Sequence, residues 1–158
     1  MTIDPSIFKA YDIRGVVGTS LTIEGVALIG RAIGSHIENG KPVCVGRDGR
    51  LSGPSIVASL IEGITSAGID VVDVGQVTSP ALYFSTHELK TGNGVMVTRS
   101  HNPPQYSGLK IVLDGHAIYG PQILSLLKLI ETEKFNTGHG NVTTIDINER
   151  YMNRIKSD

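Results

Sequence analysis

Cysteine is almost missing from this sequence: Cys44 is the single one in 158 residues. No disulfide can form within the chain, and the place of Cys44 in the apolar run 42–45 makes it a small buried hydrophobe. That usage fits a reducing cytoplasm. An excess of charge is missing as well, since 14 basic residues face 15 acidic ones for a net charge of −1. There is no broad basic field for nucleic acid or an anionic membrane, so any anion site has to be local. No hydrophobic run approaches the roughly 18 residues that span a bilayer. Residues 1–9 lack the basic segment and following apolar stretch of a secretion signal, so neither export nor a membrane anchor is expected. Repeats, heptads and low-complexity tracts are absent, and five scattered histidines with one cysteine show no metal-ligand spacing.

What is present is apolar material arranged with two periods. Hydrophobic residues make up 40% of the chain and charged ones 18%, enough to bury a core in one domain covering residues 1–158. Over 22–39 the apolar residues Ile23, Val26, Ile29, Ile33 and Ile37 recur at helical spacing, with Gly40 closing the segment. The run 42–46 is β-branched and bounded by Pro and Gly, as a buried strand is. A second helix starts at Pro54 and stops at Gly68, followed by a strand over 69–74. A third helix is expected over 79–90, a strand over 94–98, a loop over 99–107 and a strand over 109–113. That last strand follows too closely for a crossover helix, so it should run antiparallel to its predecessor. A further helix starts near Pro121, residues 136–141 read as a loop, and residues from about 148 read as a terminal helix or a connection onward. The pattern predicts a three-layer α/β/α sandwich with a mixed, mainly parallel sheet.

Three polar clusters punctuate this frame. Thr98-Arg99-Ser100-His101-Asn102-Pro103-Pro104 follows a buried strand, at the strand end where open α/β sheets bind ligands; it also reads as an Asn-Pro turn with local hydrogen bonds. A serine hydrolase does not fit, because adjacent Ser and His side chains point apart and the Gly-x-Ser-x-Gly elbow is absent. Phe8-Lys9-Ala10-Tyr11-Asp12-Ile13-Arg14-Gly15 reads either as an edge strand with solvated charges or as part of a site. Gly46-Arg47-Asp48-Gly49-Arg50 offers guanidinium forks for phosphate oxygens or, equally, a structural ion pair.

Taken in order and spacing, the three clusters resemble the first, phosphoserine-bearing domain of the α-D-phosphohexomutase family, of the phosphomannomutase/phosphoglucomutase type. The most specific match is Thr98-x-Ser100-His101-Asn102-Pro103-Pro104-x-Tyr106-x-Gly108-x-Lys110, and the likeness extends over nearly the whole chain. The resemblance implies an intramolecular phosphotransferase that interconverts hexose 1-phosphate and hexose 6-phosphate. Ser100 would be the phosphoryl carrier and, through its phosphate, a ligand of Mg2+. His101 and Lys110 would handle the sugar hydroxyl's proton, and Tyr11, Arg14 and Lys110 would bind substrate. Arg47 and Asn102 would support the loop, with Arg47 bracing it through an ion pair. A glucose 1,6-bisphosphate-type activator is implied too, as are hexose phosphates and the missing domains of the same enzyme as partners, with no nucleic acid and no membrane. A phosphoserine carries about −1.5 to −2 charge and calls for cations around it.

The sequence departs from the family pattern at Arg99, where the family has a small residue, and at Gln105 and Ser107 in the downstream turn, where it has Asp and Asn. It contains no Asp-x-Asp cluster such as the family's magnesium loop carries. The end at Asp158 has no tail character and fits a longer protein. An isolated domain of this kind is expected to fold and to show little or no mutase activity. The alternative is a stand-alone module that binds a phosphosugar or a partner without mutase activity.

Overall fold

In the computed structural model, which describes residues 3–48, 53–98 and 106–157, the alternating segments build one sheet. Its strands are β1 (Ile13–Val16), β2 (Val43–Arg47), β3 (Val71–Gln76), β4 (Asn93–Thr98), β5 (Tyr106–Leu113), β6 (His116–Ala117) and β7 (Val142–Thr144). The helices are α1 (Ile23–His36), α2 (Gly53–Ser66), α3 (Ser79–Glu88), α4 (Pro121–Thr132) and α5 (Asn148–Ser157). The strand order is β1-β5-β4-β2-β3-β7, with β6 paired to β5 alone. β2 pairs in parallel with β3 and β4, and β3 with β7, whereas β5 is antiparallel to β1, β4 and β6. One reversed strand, β5, therefore makes an otherwise parallel sheet mixed, and the expected antiparallel pairing of the fourth and fifth strands holds.

The pleat divides the core. Val43, Val45, Val95 and Val97 pack with α1, α2 and α4, while Cys44 and Met96, one residue out of phase, pack with Leu82 of α3 and Ile147. Side chains that alternate along a strand point to opposite faces, so continuous apolar runs serve both layers. Tyr151 of α5 meets Phe84 of α3 with ring centroids 5.5 Å apart, placing α5 on the α3 face. Helices thus cover both faces, as the α/β/α expectation requires.

Several boundaries moved. α1 ends at His36 rather than near 39, where Ile37 turns to extended backbone and Asn39 accepts a hydrogen bond from the Lys41 N–H at 2.8 Å. α1 and α2 lie so close that a Cβ at Gly30 would sit 2.5 Å from the Leu60 carbonyl oxygen, and one at Gly63 would collide with the Ala27 carbonyl. The fifth strand begins at Tyr106, not 109, because β1 lies along it with Arg14 opposite Gly108 and Gly15 opposite Ser107. Ser107 is consequently a buried strand residue, not part of a turn. β7 was not expected; its three residues are all exposed and carry no apolar pattern.

Candidate functional site

The segment 8–13 doubles back on itself. Phe8 bridges Ile13, the Lys9 N–H donates to the Asp12 carbonyl at 2.9 Å, and the Gly120 N–H donates to the Ala10 carbonyl at 2.7 Å. Tyr11 stands at the tip of this turn, 77% exposed. β1 then carries Arg14 alongside β5, opposite Gly108, and Gly108 is in turn opposite Thr98 of β4. Arg14, Gly108 and Thr98 form one row across three strands, at the end of the sheet where residues 99–105 link β4 to β5.

Next to this row is an open cavity of about 460 Å³ lined by Lys9, Tyr11, Asp12, Arg14, Tyr83 and Lys110, among others. Lys110 reaches it because it lies two residues beyond Gly108 on β5, and residues two apart share a face of the sheet. Three cationic side chains thus meet one carboxylate, and that carboxylate is engaged: Asp12 Oδ2 lies 3.4 Å from Arg14 Nε. The Arg14 Nε is buried without a hydrogen-bond partner, so the contact is an ion pair and not a well-aligned hydrogen bond. The cavity suits an anion with several oxygens, for which a guanidinium fork and ammonium groups are the matching donors.

Tyr11, Arg14 and Lys110 line the same cavity. Ser100, His101 and Asn102 lie outside the described residues, as do the departures Arg99 and Gln105. Arg47 does not line the cavity, and the loop it is expected to support lies outside the described residues; its neighbour Asp48 braces the end of β4. Asp48 donates its N–H to the Val97 carbonyl at 3.1 Å and accepts the Thr98 hydroxyl on Oδ2 at 2.9 Å. Position 48 is one residue past β2, where the chain leaves the ladder and a carboxylate can turn toward the neighbouring strand. Arg47 is still within the β2 ladder, opposite Val97. Sequence reasoning missed Lys9, Asp12 and Tyr83 as lining residues. Lys9 and Asp12 stand within two residues of Tyr11 and share its cluster; Tyr83 sits on a helix whose place above the sheet no local signal announces.

The magnesium ion implied by the family likeness finds no complete ligand set among the described residues. Among the described residues no group of three or more His, Cys, Asp or Glu side chains is arranged to hold a metal, and Asp12 is committed to Arg14. No helix among the described residues is long and apolar enough to cross a membrane.

The family model described as phosphoglucomutase/phosphomannomutase, alpha/beta/alpha domain I, matches residues 5–137. A phosphomannomutase/phosphoglucomutase of Pseudomonas aeruginosa is 50% identical over 99% of this chain and 34% of its own length. A phosphoglucomutase of Neisseria meningitidis is 47% identical over 94% of this chain and 33% of its own length. A crystal structure of a phosphoglucomutase/phosphomannomutase family protein from Burkholderia thailandensis superposes with a TM-score of 0.93 at 46% identity, covering 99% of this chain and 36% of that one. The chain spans about a third of the length of the curated relatives it matches.

Proposed function

The chain belongs to the phosphoglucomutase/phosphomannomutase family as its domain I, and from that premise we propose that it is the phosphoserine-bearing N-terminal domain of a longer phosphohexomutase. The observation that carries this reading is the cationic cavity of Tyr11, Arg14 and Lys110, set against the two strands whose linking residues include Ser100. A phosphoryl group carried by that linking segment would call for cations, and Arg14 and Lys110 are the cations that line the cavity.

In the proposed reaction the Ser100 Oγ–phosphorus bond breaks as a hydroxyl oxygen of a hexose 1-phosphate or 6-phosphate bonds to the same phosphorus. The hydroxyl proton passes to His101, and the Lys110 ammonium gives a proton to the departing Ser100 oxygen; both protons return when the serine is rephosphorylated. The resulting bisphosphate turns over in place, and its other phosphoryl group returns to Ser100, so the sugar leaves with its phosphate at the other position and the serine is restored. Phosphoryl transfer of this kind relies on positioning and on electrostatic stabilisation of charge spread over the phosphoryl oxygens. Arg14 and Lys110 supply that field, and Tyr11 at the rim contacts the sugar. Magnesium, held through the Ser100 phosphate and by ligands of the missing domains, would supply further charge neutralisation at that phosphate. A glucose 1,6-bisphosphate-type compound would load the serine.

Intact-mass spectrometry of the 158-residue chain before and after incubation with glucose 1,6-bisphosphate tests the reading. The expected result is one added phosphate on Ser100, absent in Ser100→Ala and reduced about tenfold to a hundredfold in rate in Arg14→Ala or Lys110→Ala. Phosphate of equal amount on the Ser100→Ala chain would sink it. A mutase assay on the same chain is expected to give little or no turnover, because the remaining domains hold the rest of the site.

A further inference from the structure

We propose that Asp12 and Gly108 are positioning residues for Arg14, fixing its guanidinium at the anion cavity from the side and from below. The inference rests on the cavity's reading as a phosphate site and extends it to residues that touch no substrate. Arg14 and Gly108 are direct cross-strand partners. A Cβ built on Gly108 would lie 2.7 Å from Arg14 Cγ and 3.1 Å from the Ile13 carbonyl oxygen. The Arg14 stem therefore occupies the space that any side chain at 108 would take. Gly108 is not at a turn: it is mid-sheet between β1 and β4, where glycine weakens a strand and marks close approach of another group. The group that approaches is Arg14.

The guanidinium end is held by Asp12. Its carboxylate lies 3.4 Å from Arg14 Nε, with the Asp12 side chain 15% exposed and that of Arg14 38%. A backbone bond from the Lys9 N–H to the Asp12 carbonyl secures the turn that presents this carboxylate. Engagement at Nε leaves the two terminal nitrogens as donors for a ligand in the cavity that Arg14 lines. A freely rotating arginine loses rotamer entropy on binding an anion, and one held in advance loses less. An acidic residue beside an anion site would weaken binding by simple Coulomb repulsion, so Asp12 makes sense there only through what it does to Arg14.

The test uses the 158-residue chain and two readouts. The first is the exchange rate of the Arg14 Nε proton by NMR, without ligand. It is expected to be at least about tenfold faster in Asp12→Asn and in Gly108→Ala than in the unaltered chain, since each loosens Arg14. Equal rates in a folded Asp12→Asn chain would overturn the proposal. The second is affinity for glucose 1,6-bisphosphate, with inorganic phosphate alone as a comparison. Asp12→Asn is expected to weaken binding about tenfold, although it removes a negative charge, and to have no further effect in an Arg14→Ala background. Tighter binding by Asp12→Asn, as pure repulsion demands, or an equal loss without Arg14, would also overturn it. If the unaltered chain binds neither probe, the reading of this cavity as a phosphate site fails, while the proton-exchange readout still decides the positioning.

Discussion

Thr98 donates its hydroxyl to the carboxylate of Asp48 at 2.9 Å, tying the last residue of β4 to the residue just beyond β2. Because the Asp48 N–H also donates to the Val97 carbonyl, this clasp fixes the root from which residues 99–105 depart. The contact is exposed, so Thr98→Val should lower stability by only about 0.5–1.5 kcal/mol. Its larger effect should be local: backbone amide exchange at residues 97 and 98 should rise more than at β2 residues 43–45. A uniform rise through the sheet would mean that the clasp supports the whole fold and not the loop root.

Gly30 and Gly63 set the distance between α1 and α2. In an open helix, replacing Gly by Ala stabilises by about 0.8–1 kcal/mol, but here the new methyl would meet carbonyl oxygens of the opposing helix. Overpacking of that kind costs about 1–3 kcal/mol, so the clash wins. Gly30→Ala is expected to lower the urea midpoint, and a raised midpoint would show that the helices can part without loss.

Asn93 is a buried amide that replaces missing backbone pairing. It donates to Asn39 Oδ1 at 3.2 Å and to the Lys41 and Pro42 carbonyls at 3.2 and 3.3 Å, and it accepts the Asp114 N–H at 3.0 Å. Asn93→Ala strands these groups, each with a desolvation penalty, for an expected loss of about 2–3 kcal/mol by denaturant titration. Asn93→Asp should be nearly as harmful, since an ionised carboxylate cannot donate to the two carbonyls.

Burial pushes the Cys44 thiol above its ordinary range, with contacts to Thr91 and Ser85 opposing the shift; its Sγ lies 3.4 Å from Thr91 Oγ1. The folded state thus disfavours the thiolate. Its contribution to stability is complete below the unfolded pKa of about 8.5 and is lost as pH rises toward the folded value. The thermal midpoint should fall more steeply above pH about 9 in the unaltered chain than in Cys44→Ala, and a thiol reagent should label Cys44 only as fast as the protein opens. Rapid labelling of the native protein would contradict this.

Much of the layered fold was readable because it is written in local periods. The spacing of Ile29 and Ile33 faces one side of a helix whatever the rest of the chain does, and the runs 43–45 and 95–97 can be accommodated only where both faces of a strand are covered. The reversed β5 was readable from chain length alone, as the link from β4 is too short for a crossover. β7 was not, since Val142–Thr144 is defined by its ladder with β3 and by no pattern of its own.

At the candidate site the division is sharper. The sequence alone singled out Ser100, His101, Tyr11, Arg14 and Lys110, because they stand in motifs whose order and spacing resemble those of the family. Only the tertiary structure decided that Tyr11, Arg14 and Lys110 share a cavity with Lys9, Asp12 and Tyr83, and that Asp48 clasps Thr98. Those relations join residues tens of positions apart through sheet register. Register is fixed by which faces are buried and by the space that Gly108 leaves for Arg14, quantities that come into being only when the strands meet.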